Sequence, residues 1–281
     1  MTFSIWDFSK TPASNNQATP QGWPEGQLPS TVNDCARQLI AMTFEGLAVS
    51  TLAGGTADAL TVTFTNIPTA PSTLVDGMEI KVRAASANAT ATPTLAVNGG
   101  TARTITKQGG TALDPGNIPG ALAECVLRYN LANTRWELLN PAPSTGTWTP
   151  VVTFATPGDL AVVYNAQVGS YTKIGRLVTI SCTISTTTFT YTTASGNLQV
   201  TGLPFAAKTV TNYFAVASLL HGGLTVTGAI GTNIRVTSGA SIAIPTISAG
   251  GPSSISTLTT GNTTSGSGVV LEFTMQYEAA S

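Results

Sequence analysis

The chain carries little charge. Only 9% of its 281 residues are Asp, Glu, Lys or Arg, whereas roughly 25% is usual for a soluble domain. The net charge is −1 and Lys and Arg form no cluster, which argues against nucleic acid as a partner and against a polybasic membrane patch. With so few charges, polar hydroxyl and amide side chains make up the surface, and these protect exposed strand edges less well than charges do. We therefore expect partner chains to cover those edges.

Cysteine and histidine are also scarce. Cys35, Cys125 and Cys182 lie far apart and lack CxxC spacing, which predicts free thiols in a reducing compartment. His221 is the one histidine, and no Cys lies near it at the sequence spacing that a metal site needs. We therefore predict that His221 is a loop residue without a catalytic or metal role, and that the protein has no metal site.

Long apolar runs and nucleotide-binding glycine motifs are missing as well. No apolar run approaches the roughly 18 residues of a membrane span, so we expect no membrane insertion. No basic segment followed by an apolar run opens the sequence, so we expect no signal peptide. The Gly-Gly pairs fit neither a P-loop nor a Rossmann fingerprint, and we expect no cofactor.

Carboxylates are few in the second half of the chain, where they are limited to Asp159, Glu272 and Glu278. Cleavage of a glycosidic bond needs two carboxyl groups flanking that bond. The three do not form a recognisable pair in the sequence, so we predict no enzymatic activity. A pair formed between chains is the alternative, which would make the protein a glycan-degrading spike.

The first 50 residues differ from the rest. Residues 1–29 are polar, punctuated by proline, and include Trp6, Phe8 and Trp23. They predict an extended arm whose aromatics either pack on the chain itself or anchor it to another protein. A short helix is expected over Thr31–Leu47, with Thr31 and Asp34 as a capping-box-like pair.

Residues 51–143 and 144–281 predict two small β-sandwich domains, the second jelly-roll-like. In the first, turn signals separate short alternating strands, and a proline-rich stretch ends it. In the second, Tyr171–Ile174 and Arg176–Ile184 predict a hairpin turning at Gly175, because apolar and polar residues alternate from Val178 onward. Ser248–Gly268 predicts a long loop.

Four aromatic residues of the second domain are candidates for a sugar-stacking surface: Trp148, Phe189, Tyr191 and Tyr213. Aromatic rings suit the apolar face of a sugar, and neighbouring Thr and Asn can bind its hydroxyls. The alternative is that these side chains belong to the core or to contacts between subunits.

Two stretches resemble bacteriophage tail fibre proteins. The segments Trp6–Asn15 and Trp23–Arg37 (WDFSKTPASN and WPEGQLPSTVNDCAR) are similar to a motif near the start of such proteins, with Cys35 in place of the usual serine. In this family that end lies on the particle side. The resemblance implies particle attachment through Trp6, Phe8, Trp23, Pro24, Glu25 and Gly26.

The second stretch combines GTWTP, GSYTKIG and TGLPF, which begin at Gly146, Gly169 and Thr201. It resembles a carboxy-terminal β module of phage fibres and spikes. The two resemblances imply a homotrimeric virion fibre with intertwined chains, made in the host cytoplasm. Its amino-terminal arm would dock on a tail or other virion protein, and its far end would contact host surface glycan. A head fibre or capsid decoration protein remains an alternative.

Overall fold

The computed structural model describes residues 26, 28–45, 50–64, 74–248 and 255–280. The chain divides into two compact units, Met1–Ala142 and Pro143–Ser281. The described residues form one α-helix, nineteen strands and short 3-10 turns. The predicted all-β fold with a short helix is confirmed, whereas the intertwined homotrimer stays a prediction.

Helix α1 spans Pro29–Thr43 and begins earlier than expected. Proline at the first helical position starts it, because its φ angle is preset and its missing N–H is not needed there. Leu28 is the N-cap and no side chain caps the helix. Thr31 Oγ1 instead donates to the Leu28 carbonyl at 2.8 Å, so the predicted capping box is wrong. No helix in the described part of the chain is long and apolar enough to span a bilayer.

The first unit contains one eight-stranded sheet in the order β1-β4-β7-β8-β6-β5-β3-β2. The strands are β1 Thr51–Leu52, β2 Gly54–Gly55, β3 Ala59–Val62, β4 Glu79–Arg83, β5 Thr94–Val97, β6 Arg103–Lys107, β7 Glu124–Asn130 and β8 Arg135–Leu138. Its two end strands are separated in sequence by Ala53 alone. The sheet must therefore curve so that its first and last strands, β1 and β2, come close together. It encloses buried side chains such as Trp136, Ile80 and Leu127.

Turns of the first unit follow the glycine and asparagine signals. Asn98 and Gly99 both have positive φ angles, 47° and 74°, between β5 and β6. Such angles are those of a tight hairpin turn, and Asn and Gly tolerate them best. β5 and β6 pair antiparallel across this turn, with Leu95 opposite Arg103.

The second unit contains two sheets around one core. The five-stranded sheet has the order β15-β19-β12-β11-β9. The six-stranded sheet has the order β10-β13-β17-β16-β14, with β18 paired to β17. The strands are β9 Ser144–Trp148, β10 Val151–Thr156, β11 Ala161–Ile174, β12 Leu177–Thr190, β13 Ser195–Thr201, β14 Phe214–Ser218, β15 Leu220–Gly222, β16 Gly231–Thr237, β17 Ile242–Ser248, β18 Ile255–Thr257 and β19 Val270–Glu278.

The β11–β12 hairpin turns at Gly175, as predicted, where φ is 59°. Alternation along β12 buries Val178, Ile180, Cys182 and Ile184, each at most 2% exposed. Both strands are longer than expected. The register shifts near Tyr164, and this irregularity lets β11 continue through a segment without clean alternation.

The segment predicted as one loop, Ser248–Gly268, is largely ordered where it is described. It contains β18 and a 3-10 turn, Thr260–Asn262. The turn is closed by a capping box between Thr259 and Asn262. Hydroxyl and amide side chains therefore form the local structure here, which an apolar pattern does not reveal.

Candidate functional site

The residues expected to attach the chain to a particle lie mainly outside the described residues. This applies to Trp6, Phe8, Trp23, Pro24 and Glu25. Gly26 is described: it is an exposed turn residue with φ 73°. Their role in attachment stays a prediction.

Two of the four predicted sugar-stacking aromatics belong to the core. Phe189 is fully buried and Trp148 is only 8% exposed. The Trp148 indole Nε1 lies within hydrogen-bonding distance of the Ser170 and Ser181 carbonyl oxygens, at 3.3 and 3.1 Å. A sugar can stack only on a ring face that solvent reaches, so the prediction of glycan contact is wrong for these two residues.

Tyr191 and Tyr213 are half-buried and have structural contacts. The Tyr191 hydroxyl lies 3.0 Å from the Thr263 carbonyl oxygen and 3.1 Å from that of Thr260, which ties it to the 3-10 turn. The Tyr213 hydroxyl accepts a hydrogen bond from the Glu278 amide at 2.7 Å. The rings of Phe189 and Tyr191 are neighbours, with centres 5.8 Å apart. The structure does not show the four residues gathered on one exposed surface.

Asp159 is held as a structural carboxylate. Its oxygens accept hydrogen bonds from the hydroxyls and the backbone amides of both Thr192 and Thr193. These bonds, led by that from the Thr192 hydroxyl, hold the pKa of Asp159 far below its ordinary value. A general acid must carry a proton near neutral pH, so this environment is the opposite of what that role needs.

The other sequence candidates lie on strands. Glu278 forms an ion pair with Lys208 at 2.8 Å, and this hydrogen bond lowers the pKa of Glu278. Glu272 lies on β19, where it is the backbone pairing partner of Leu220 on β15. His221 lies in β15 and not in a loop as predicted, because its backbone pairs with Leu271 of β19. Among the described residues, no group of three or more His, Cys, Asp or Glu is placed to hold a metal.

A hollow opens on the six-stranded sheet of the second unit, with a volume of about 390 Å³. We call it the Arg235 hollow. Its lining comes from β14, β16, β17 and β18: Phe214, Val216, Asn233, Arg235, Thr246, Ile247, Ser248 and Ile255. It arises from strand alternation, since Ala215, Ile234 and Val236 face the core and their sequence neighbours face outward.

Apolar side chains of the hollow are open to solvent. Phe214 is 53% exposed, Val216 59% and Ile255 66%. Val216 lies directly across from Arg235 in the pairing of β14 with β16. The Arg235 guanidinium carbon lies 5.6 Å from the centre of the Phe214 ring, close enough for a cation–π contact. This contact holds the guanidinium against the wall of the hollow.

The Arg235 guanidinium has no anionic partner within the described residues. Its Nε atom is buried and makes no hydrogen bond to any described residue. A buried donor without an acceptor is costly and uncommon in native proteins. The sequence pattern does not reveal the hollow, because the pairing of β14 with β16 joins residues about twenty positions apart.

No protein-family model and no curated protein matches the chain. Among solved structures, the Dettilon tailspike protein gp208 is similar at 18% identity over 47% of this chain, with a TM-score of 0.33. The match covers 23% of the tailspike. A likeness at this level assigns neither fold nor function.

Proposed function

We propose that the chain is a structural, non-enzymatic fibre component of a bacteriophage virion. In this proposal the amino-terminal arm attaches it to a tail or other virion protein, and the second unit contacts glycan on the host surface. The observation that carries the host-contact role is the Arg235 hollow, where half-exposed apolar side chains surround a guanidinium that has no ion pair with any described residue. Groups in this state are typical of a surface that binds a partner.

Attachment through the arm is supported by the sequence resemblance of Trp6–Asn15 and Trp23–Arg37 to tail fibre proteins. The test is a chain that lacks residues 1–29, produced in infected cells in place of the full chain. We expect this chain to fold and to be absent from purified particles. Arg235→Gln in the full chain is the matched control, and it should be incorporated normally. Normal incorporation of the truncated chain would rule out this role for the arm.

A homotrimer is part of the same proposal. Apolar side chains are exposed on the five-stranded sheet, including Val168 at 61% and Leu220 at 65%. Sister copies are a source of cover for such residues in a protein with so few surface charges. Sedimentation equilibrium of the purified chain should give three times the chain mass of 28.7 kDa. A monomer would count strongly against the fibre.

A further inference from the structure

Polar groups that have no partner among the described residues gather at the Arg235 hollow. Besides the guanidinium, the side-chain amide of Asn233 and the hydroxyl of Ser248 make no hydrogen bond within the described residues. Two other unpartnered buried nitrogens, of Arg103 and Trp136, belong to the first unit. Among the described residues of the second unit, the buried nitrogen that lacks an acceptor is therefore Arg235 Nε, and Arg235 lines the hollow.

From this combination we infer that the Arg235 hollow binds an anionic sugar, one that carries a carboxylate or a phosphate. This inference rests on the proposed contact with host glycan and gives that contact a residue-level site. A guanidinium presents paired N–H donors that match either anion. The exposed ring of Phe214 offers a face for sugar C–H groups, while Asn233 and Ser248 offer hydrogen bonds to hydroxyls.

The dimensions fit a small ligand. Sites for small molecules usually have volumes of about 300 to 1,000 Å³, and the hollow, at about 390 Å³, lies at the small end of that range. Such sites combine mostly apolar walls with a few placed polar groups. The apolar Phe214, Val216 and Ile255 around Arg235 give that composition.

A second copy of the second unit is a poor match for the guanidinium. To form an ion pair with Arg235, such a copy would have to supply a free carboxylate. Its Asp159 already accepts hydrogen bonds from two threonines, and its Glu278 is paired with Lys208. Glu272 alone of the three would be left to pair with Arg235. An anionic ligand from outside the chain is therefore the better candidate for an ion pair with Arg235.

The test titrates the purified full-length chain with three probes: D-glucuronate, glucose 6-phosphate and neutral glucose. Binding is followed by calorimetry and by saturation-transfer NMR. We expect at least one anion to bind roughly tenfold or more tightly than glucose, the factor that a charge-assisted hydrogen bond gives. The two anions separate a carboxylate-bearing sugar from a phosphate-bearing one. Raising the salt concentration should weaken the binding of the anion and leave glucose unaffected.

Variants identify the site. Arg235→Gln should abolish the preference for the anion, and Arg235→Lys should retain only part of it, because an ammonium lacks the planar pair of donors. Arg83→Gln is the charge-matched control, since Arg83 is exposed on β4 of the first unit. It should bind like the unaltered chain.

Several results would overturn the inference: equal binding of glucose and both anions, no binding of either anion, or an unchanged preference in Arg235→Gln. A change in sedimentation caused by Arg235→Gln would also overturn it, because the hollow would then be a contact between copies. Adsorption of the labelled full chain to cells that the phage infects separates the two proposals. If the chain adsorbs and Arg235→Gln has no effect, the anion inference fails and the fibre proposal stands. If the unaltered chain does not adsorb, the proposed host contact fails.

Discussion

Gly169 on β11 lies directly across from Trp148 on β9, and the indole occupies the space that a side chain at position 169 would need. A Cβ atom placed on Gly169 would come within 2.5 Å of the indole nitrogen. Trp148 thus covers a glycine on the neighbouring strand, an arrangement that stabilises strand pairing near a sheet edge.

Gly169→Ala should destabilise the second unit because the added methyl group displaces the indole and breaks its hydrogen bonds. We expect a loss of about 1–3 kcal/mol in the free energy of unfolding. Chemical denaturation followed by tryptophan fluorescence measures it. Gly231→Ala is the control: its Cβ would meet nothing closer than 3.9 Å, so stability should be nearly unchanged. Equal effects of the two variants would contradict the described contact.

Phe189 provides a test of the corrected sugar-stacking prediction. Phe189→Ala removes a fully buried ring that packs against Phe154, with ring centres 5.5 Å apart. We expect a loss of about 3–5 kcal/mol in the free energy of unfolding. Val210→Ala, at a position 51% exposed outside the strands of the second unit, should change it by less than about 0.5 kcal/mol. If the Phe189→Ala chain were as stable as the unaltered chain and bound glycan more weakly, Phe189 would be a glycan-contact residue and not a core residue.

The pH dependence of stability should report on Asp159. Its pKa is lowered in the folded chain, so its contribution is complete above the ordinary value of 3.8 and is lost as the pH falls toward the folded value. Asp159→Asn should therefore lower the thermal unfolding midpoint at pH 7, and the difference from the unaltered chain should shrink below about pH 4. Glu272→Gln is the carboxylate control and should leave the midpoint nearly unchanged.

The same pair of variants addresses the alternative of a glycan-degrading spike. The fibre proposal predicts that the unaltered chain releases no reducing ends from host polysaccharide. Release that stops in Asp159→Asn and in Glu272→Gln, while both chains remain folded, would establish the enzyme instead. The hydrogen bonds around Asp159 argue against that result, since all of them favour its charged form.

Local patterns explain which parts of the fold could be predicted. The β11–β12 hairpin and the burial of Ile180 follow from alternation and one turn glycine, both of which lie within a few residues. The burial of Trp148 depends on its pairing with Gly169, 21 positions away, and on cover from the opposite sheet. An aromatic residue in a polar stretch therefore suggested an exposed surface when it was in fact part of the core.

The candidate site shows the same limit more strongly. Arg235 and Phe214 are also 21 positions apart, and Ile255 lies beyond a further strand. No spacing rule joins residues of four strands into one hollow before the strand order is known. The unpartnered state of Arg235 could not be inferred either, because it depends on which carboxylates the fold places elsewhere.

Imaging of the virion with antibodies against two parts of the chain tests the central claim most directly. One antibody recognises residues 1–29 and the other recognises the second unit. The account predicts that both label the particle on a fibre, with the second-unit label farther from the particle body. Labels confined to the capsid surface would show a decoration protein, and the absence of both labels from intact particles would contradict the account.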